Sequence, residues 1–280
     1  MRRGTAIGVS VLLAGIFVAQ SCVGHDLIVR VKDRREVTFG EMMTDLKKAR
    51  VVYVGENHDE PAHHLLQLRI IRDLHGAGVP LAIGMEMFTA ADQRELDRWV
   101  EGRVGLTQFQ KFYLRSWTLP WSLYGDILLF ARDHRIPLVG LNVLRKIARK
   151  VATTGFDSLT PEERRALPPS IACDVSDAYL AMIRRSYANH DAGQRSFRNF
   201  CEAQMLWNKA MAYHLVAFLQ KNPRRTVVVI TGGGHAMRGG MPTEVEKEEP
   251  ALKGVIVLPD PAMPLDTITL ADADYLWISH

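Results

Sequence analysis

The run Val51-Val52-Tyr53-Val54 is apolar without interruption and stops at Gly55. Runs of this length suit strands buried on both faces of a sheet, where neither face calls for polar residues. Leu81-Ala82-Ile83-Gly84-Met85, Leu138-Val139-Gly140-Leu141, the β-branched stretch Thr226 to Ile230, and Val255 to Leu258 read the same way. Between these runs the period changes. Leu65, Leu68, Ile71 and Leu74 recur at three-residue steps, predicting a helix from about Glu60. Pro61 fits its first turn, Asp59 can cap it, and Gly76, Gly78 and Pro80 stop it. Helical spacing recurs over Thr89 to Glu101, Trp121 to His134, 174–188 and 197–220. Thr107-x-x-Gln110 has the form of a capping box, and Thr160-Pro161-Glu162-Glu163 that of a helix start.

Strands alternating with helices predict an α/β domain with a mainly parallel sheet flanked by helices. The stretch from about 144 to 200 has no strand pattern. It reads as a smaller all-helical subdomain inserted into the sheet order of a single domain over 23–280, and as a candidate mobile cap.

Composition narrows the class. Of 280 residues, 47% are hydrophobic and 24% charged, values of an ordinary globular chain and not of a disordered, collagen-like or polytopic membrane protein. Three cysteines with no CxxC pair exclude a zinc ribbon and a disulfide scaffold. Cys173 and Cys201 are open to two readings, a disulfide or two buried thiols. The net charge of +4 is spread in short blocks such as Arg34-Arg35, Arg164-Arg165 and Arg224-Arg225. No basic stripe interleaves with aromatics, so no nucleic-acid partner is expected.

The first 22 residues read as an address. Arg2 and Arg3 precede the apolar stretch Ala6 to Ala19, and Ser21 precedes Cys22. This is the layout of a secretory signal. Ala19-Gln20-Ser21 satisfies ordinary signal peptidase, and Ala19-Gln20-Ser21-Cys22 resembles a bacterial lipobox with alanine where leucine is usual. The expectation is an exported protein lipid-anchored through Cys22 at the bacterial outer membrane, touching the bilayer only through that anchor. A soluble periplasmic form is the alternative.

In parallel sheets ligands bind beyond the carboxyl ends of the strands. Glu56, Asn57 and His58 follow the first predicted strand, Glu86 the second, Asn142 the third, and Gly232-Gly233-Gly234-His235 the fourth. Glu56, His58, Glu86 and His235 are therefore candidates for one site, as ligands of a divalent metal or as an acid/base cluster. The three glycines suggest close backbone approach and unusual φ angles. His63, His64 and Gln67 on the following helix read as satisfied core or surface residues, with a supporting role for His63, on the first turn near the cluster, as the alternative. On the long later helix, Gln204 interrupts a stripe of Phe200, Trp207, Met211 and Phe218. It is either core or a hydrogen-bond partner of the cluster.

The set Gly55-Glu56-Asn57-His58, His63-His64, Gln67, Gly84-Met85-Glu86-Met87-Phe88 and Gly232-Gly233-Gly234-His235 resembles the ChaN-type haem-binding lipoprotein family of the Tiki/TraB/erythromycin-esterase-like superfamily, over about residues 48 to 258. The resemblance implies haem binding in iron uptake, an outer-membrane haem receptor as partner, and a homodimer with paired haems. Haem iron takes tyrosine or histidine ligands. Tyr113, Tyr124, Tyr179, Tyr187, His58 and His235 are the candidates, and Arg184 and Arg185 could pair with propionates. No CxxCH motif allows covalent attachment. The rival reading is a divalent-metal-dependent hydrolase, protease- or esterase-like, with Glu56, His58, Glu86 and His235 holding a metal that activates water. The chain has no GxSxG elbow for a serine nucleophile.

Overall fold

The computed structural model describes residues 26–165, 167, 171–189, 196–261 and 263–279. The expected leader, with Cys22, lies outside them. The chain opens with β1 (Leu27–Arg30), β2 (Arg35–Glu36) and α1 (Phe39–Leu46). The Thr38 hydroxyl accepts from Glu41 N while the Glu41 carboxylate accepts from Thr38 N, a complete capping box for α1. Next come β3 (Val51–Glu56), α2 (Pro61–Gly76), β4 (Leu81–Thr89), α3 (Gln93–Val100), α4 (Leu106–Ser116), α5 (Trp121–Asp133) and β5 (Leu138–Asn142). Then follow α6 (Arg145–Thr154), α7 (Pro161–Arg164), α8 (Asp177–Asn189) and α9 (Phe197–Lys221). The chain ends with β6 (Thr226–Gly232), α10 (Gly233–Ala236), α11 (Met241–Glu248), β7 (Val255–Pro259) and β8 (Tyr275–Ile278).

Two expected caps move. Glu60, not Asp59, caps α2, its carboxylate accepting from Ala62 N. Helix α4 begins at Leu106 behind Gly105, so Thr107 and Gln110 lie inside it and form no box. The expected helix from Thr89 to Glu101 starts later than read, because β4 runs on to Thr89 and a single 3₁₀ turn intervenes.

The eight strands form one sheet in the order β2-β1-β8-β7-β3-β6-β4-β5. The six strands from β8 to β5 are parallel, while β1 and β2 add an antiparallel edge. Alternation along each buried strand sorts its residues to two faces. Val52, Val54, Ile83, Met85, Val228 and Ile230 pack against α1 to α5. Val51, Tyr53, Ala82, Val139, Val227 and Val229 pack against α6, α8, α9 and α11. The helices before β5 thus cover one face and those after it the other. Gly140 explains itself by proximity: a Cβ there would meet Thr89 O at 2.2 Å, where the β4–β5 register shifts.

Between β5 and β6 the elements among the described residues are all helices. Ile147 and Val151 of α6 and Ile183 of α8 share one core with Val229 and Leu258 of the sheet. This stretch therefore packs as a layer on the sheet. Cys173 and Cys201 are joined, with Cα atoms 5.5 Å apart, tying the approach to α8 onto α9.

Candidate functional site

Strand β6 lies between β3 and β4, and their carboxyl ends stand side by side. Glu56 is in register with Gly232, and Met85 with Ile230. That pairing gathers Glu56, Glu86 and His235 from distant parts of the sequence.

Glu56 is the hub of the first half. Its Oε1 accepts from His58 Nδ1 at 2.6 Å and from the Tyr124 hydroxyl. Its Oε2 accepts from Gln67 Nε2 at 2.7 Å, with His64 Nδ1 at 3.4 Å. His64 Nε2 donates to His58 O at 3.1 Å. His63 accepts from Asn57 N at 2.9 Å and donates through Nε2 to Asp260 at 3.1 Å. His63, His64 and Gln67 are all buried and hydrogen-bonded, as satisfied core residues are, and His63 and Gln67 also brace Asn57 N and Glu56. Asp260 holds φ at 36°, in the left-handed region that few non-glycine residues occupy. Its carboxylate anchors both His63 and Ser279.

The second half centres on Glu86. Its Oε2 accepts from the Thr231 hydroxyl and, at 2.8 Å, from Gly232 N. Oε1 lies 4.0 Å from His235 Nε2. On the other side of the ring, His235 Nδ1 meets Asn208 Oδ1 at 2.7 Å. Asn208 Nδ2 donates to the Tyr179 hydroxyl, which donates to Gly234 O, each at 2.9 Å. None of the three glycines has a positive φ, because they lead straight into the turn of α10. What they provide is room. A Cβ on Gly232 would lie 3.3 Å from His58 Nε2, and one on Gly234 3.3 Å from Met182.

Burial opposes charge at both imidazoles, but only at His58 is it outweighed. Burial pulls its imidazolium down, yet the hydrogen bond to Glu56 and the fields of Glu86, Glu56 and Asp59 outweigh this and push it up to about 9. Burial holds His235 below its ordinary value, with Glu86 opposing and His58 reinforcing. Burial likewise raises Glu86, but His235, His58, Thr231 and Gly232 N prevail and keep its carboxyl below the usual range.

A pH dependence follows. A group whose folded pKa is raised stabilises the fold fully below its unfolded value and loses that contribution as pH rises through the folded one. His58 therefore makes folding stability fall between pH 6.5 and about 9. The buried tyrosines act above that window, since their ordinary value is 10.0 and burial raises them. Urea unfolding across this range is expected to show the decline in the native protein and to lose it in His58→Gln. Parallel profiles would refute the assignment.

The two halves open into a cavity of about 920 Å³, at the upper end of the range for small-molecule pockets. Trp117, Met182, Ile183, Phe200 and Trp207 give it apolar walls, and Arg145 and Arg185 contribute cations. His58 and His235 both line it. No tyrosine does so among the described residues. Tyr179, an expected iron donor, is 2% exposed and spends its hydroxyl on Gly234 and Asn208. Tyr187 packs its ring against Phe197 and Phe200. Tyr124 is tied to Glu56, and the Tyr113 hydroxyl donates to Pro120 O. Arg184 lies over the Phe197 ring at 4.3 Å, whereas its neighbour Arg185 reaches the cavity. Gln204 lines the cavity, but the bond to His235 comes from Asn208, one helical turn further on.

The expected metal set does not assemble. Among the described residues no three His, Cys, Asp or Glu side chains are placed to share a metal ion. The physical reason is that Glu56 is saturated by His58, Tyr124 and Gln67, and one Glu86 oxygen by Thr231 and Gly232. Glu56 and His58 form one pair and Glu86 and His235 another, and the geometry does not favour the metallohydrolase.

The family described as haem-binding uptake, Tiki superfamily, ChaN matches residues 42–245. The chain belongs to the ChaN family. The structure reported as cofacial haem binding to ChaN of Campylobacter jejuni superposes with a TM-score of 0.74 at 18% identity, covering 91% of this chain and 97% of that one. At that identity the likeness establishes the fold. The type III effector HopBA1 (TM-score 0.49, 14% identity, 85% and 91% covered) and the erythromycin esterase mutant EreC H289N (0.49, 13%, 83% and 76%) are more distant. No curated protein matches the sequence.

Proposed function

We propose that this ChaN-family protein binds haem in the cavity at the ends of β3, β6 and β4, and does so as an exported, lipid-anchored carrier in haem iron uptake. The observation that carries the reading is the cavity itself. It joins aromatic and thioether walls, imidazole donors at one end and arginines in its lining. These are the three things haem requires: apolar contact for the macrocycle, an axial ligand for iron, and cations for propionates. Trp117, Phe200 and Trp207 would flank the ring, His58 and His235 offer nitrogen, and Arg145 and Arg185 would meet carboxylates. When bound, haem supplies an iron centre, and the protein's task is to bind, orient and shield it. The Arg2-Arg3 start, the apolar stretch and Cys22 support export and anchoring. Anchoring would leave the folded domain free to hand its cargo to an outer-membrane receptor. The cofacial haem of the Campylobacter jejuni protein supports pairing of two copies.

Haemin titration of the purified protein tests the reading. The expected result is a saturable Soret shift near one haem per chain, with a rise in Tm because the ligand binds only the folded state. Unsaturable adsorption with no rise in Tm would overturn it.

A further inference from the structure

We propose that the carboxyl edge of the sheet, where the cavity opens, is the face this protein lays on a lipid bilayer, with Leu65, Leu114 and Leu144 as its apolar contacts. The inference rests on the lipid-anchored reading above.

The chain enters the fold at that edge. Asp26 is the first described residue and stands four positions after Cys22, a reach of at most about 14 Å. Strand β1 is antiparallel to β8, with Leu27 opposite Ile278, so β1 begins at the carboxyl end of the parallel strands. Trp277, next to Ile278, pairs with Pro259, which lines the cavity. From β1 to β3 is three strand spacings, about 14 Å. A lipid on Cys22 would therefore hold the cavity edge, and not the opposite end of the sheet, against the membrane.

The side chains of that edge suit the contact. Arg69 pairs with Asp26 at 3.3 Å. Leu65 stands one helical turn before Arg69 on the same face of α2, and it is 63% exposed. Leu68, Ile71 and Leu74 of the same apolar pattern are buried, so packing leaves out the one beside the chain's entry. Leu114, 55% exposed, comes just before the lining residues Ser116 and Trp117. Leu144, 45% exposed, lies between the lining residues Val143 and Arg145. Exposed leucines scattered singly need no explanation, but these three flank one opening. Arg115, Arg145 and Lys146 are exposed beside two of them, against Asp59 and Glu60 on the loop before α2. That balance suits anionic headgroups. Among the described residues no helix is long and apolar enough to cross a membrane. The contact is then a shallow one, with the leucines about 5–10 Å into the headgroup boundary. An acyl anchor by itself leaves any nearby face free to turn to the bilayer, and the leucines select one. An opening so held takes up and releases an apolar ligand at the headgroup boundary.

The test uses the full acylated protein, without haem, on vesicles of phosphatidylethanolamine with a minor share of phosphatidylglycerol. An environment-sensitive fluorophore is attached at Leu65→Cys, Leu114→Cys or Leu144→Cys, or at Lys48→Cys, which precedes β3 at the opposite end of the sheet. The three leucine positions are exposed, so the fold does not depend on them. On vesicles their emission is expected to shift to the blue and to lose quenching by iodide, while the label at Lys48→Cys stays quenched. Equal quenching at all four positions, or shielding at Lys48→Cys alone, would overturn the proposal with the anchor intact. Shielding that persists in detergent and follows protein concentration would mean that a second copy covers the leucines, and would overturn it too. A mature protein whose mass shows no acyl chain on Cys22 would sink the anchored reading itself.

Discussion

Replacing Glu56 with alanine is expected to cost about 3–5 kcal/mol of folding stability, the range for removing one member of a buried charged pair. The Glu56 side chain is fully buried while its partner His58 is partly exposed. Its two oxygens serve His58, Tyr124 and Gln67 at once, with His64 beside them. Alanine therefore does more than delete a carboxylate. It leaves the Tyr124 hydroxyl and the Gln67 amide without their acceptor in a place water reaches poorly, and it leaves the imidazolium of His58 with only the fields of Glu86 and Asp59. Each buried polar group so stranded carries a desolvation cost of about 1–3 kcal/mol. Domains are stable by only about 5–15 kcal/mol, so the variant should sit near the edge of folding. Glu56→Gln separates shape from charge. It preserves volume and one acceptor oxygen, and its loss should be smaller. Urea midpoints with an unchanged m-value give the comparison. A loss in Glu56→Ala no larger than that of one ordinary hydrogen bond, about 1 kcal/mol, would mean that solvent reaches the cluster, and the buried hub would be wrong.

The same cluster shows what a sequence can disclose. Glu56, Glu86 and His235 were legible because each follows an uninterrupted apolar run, and such runs become neighbouring parallel strands whose ends face one way. Nothing local announced that β6 would insert between β3 and β4, yet that order is what brings Glu56 and His235 together. The bond from Tyr124 to Glu56, and Asn208 altogether, were missed for a related reason. Each residue sits on an amphipathic helix where core packing explains it, and its polar end finds Glu56 or His235 only once the helix lies on the sheet. Asn208 left one faint trace, since it stands one helical turn after Gln204 on the same stripe. Tyr179 was named because a phenol near arginines suits iron; nothing in the sequence signalled that its hydroxyl donates to the backbone of Gly234. The short strands β1, β2 and β8 are two to four residues long. Runs that short have no period to read. The disulfide was undecidable by counting, because pairing depends on a 5.5 Å approach that only the packing of α8's leading segment on α9 creates.

Replacing Cys173 and Cys201 together with serine is expected to lower stability by about 3–4 kcal/mol, the loop-closure entropy that the bond removes from an unfolded chain over this separation. The two cysteines are 28 residues apart in sequence, and their bond joins the leading segment of α8 to the first turns of α9. Where the loss falls matters more than its size. Met182, Ile183 and Arg185 of α8 line the cavity together with Phe200, Gln204 and Trp207 of α9. Helix α8 is also held by the burial of Tyr179 and Ile183, by the Tyr179 hydroxyl bonds, and by Tyr187 and Arg184 against the rings of α9. The sheet strands β3, β4 and β6, by contrast, are hydrogen-bonded on both sides and buried along nearly all their length. Elements held by few contacts open locally at lower free energy than those at the centre of a sheet. Hydrogen exchange should then show α8 amides losing protection first in the double serine variant, with the strand amides following only the global loss. Reductant should reproduce this in the native protein and do nothing further to the variant. Equal loss of protection across α8 and the strands would show that the bond secures the whole domain and not one wall of the cavity, and an unchanged urea midpoint would show that it secures neither.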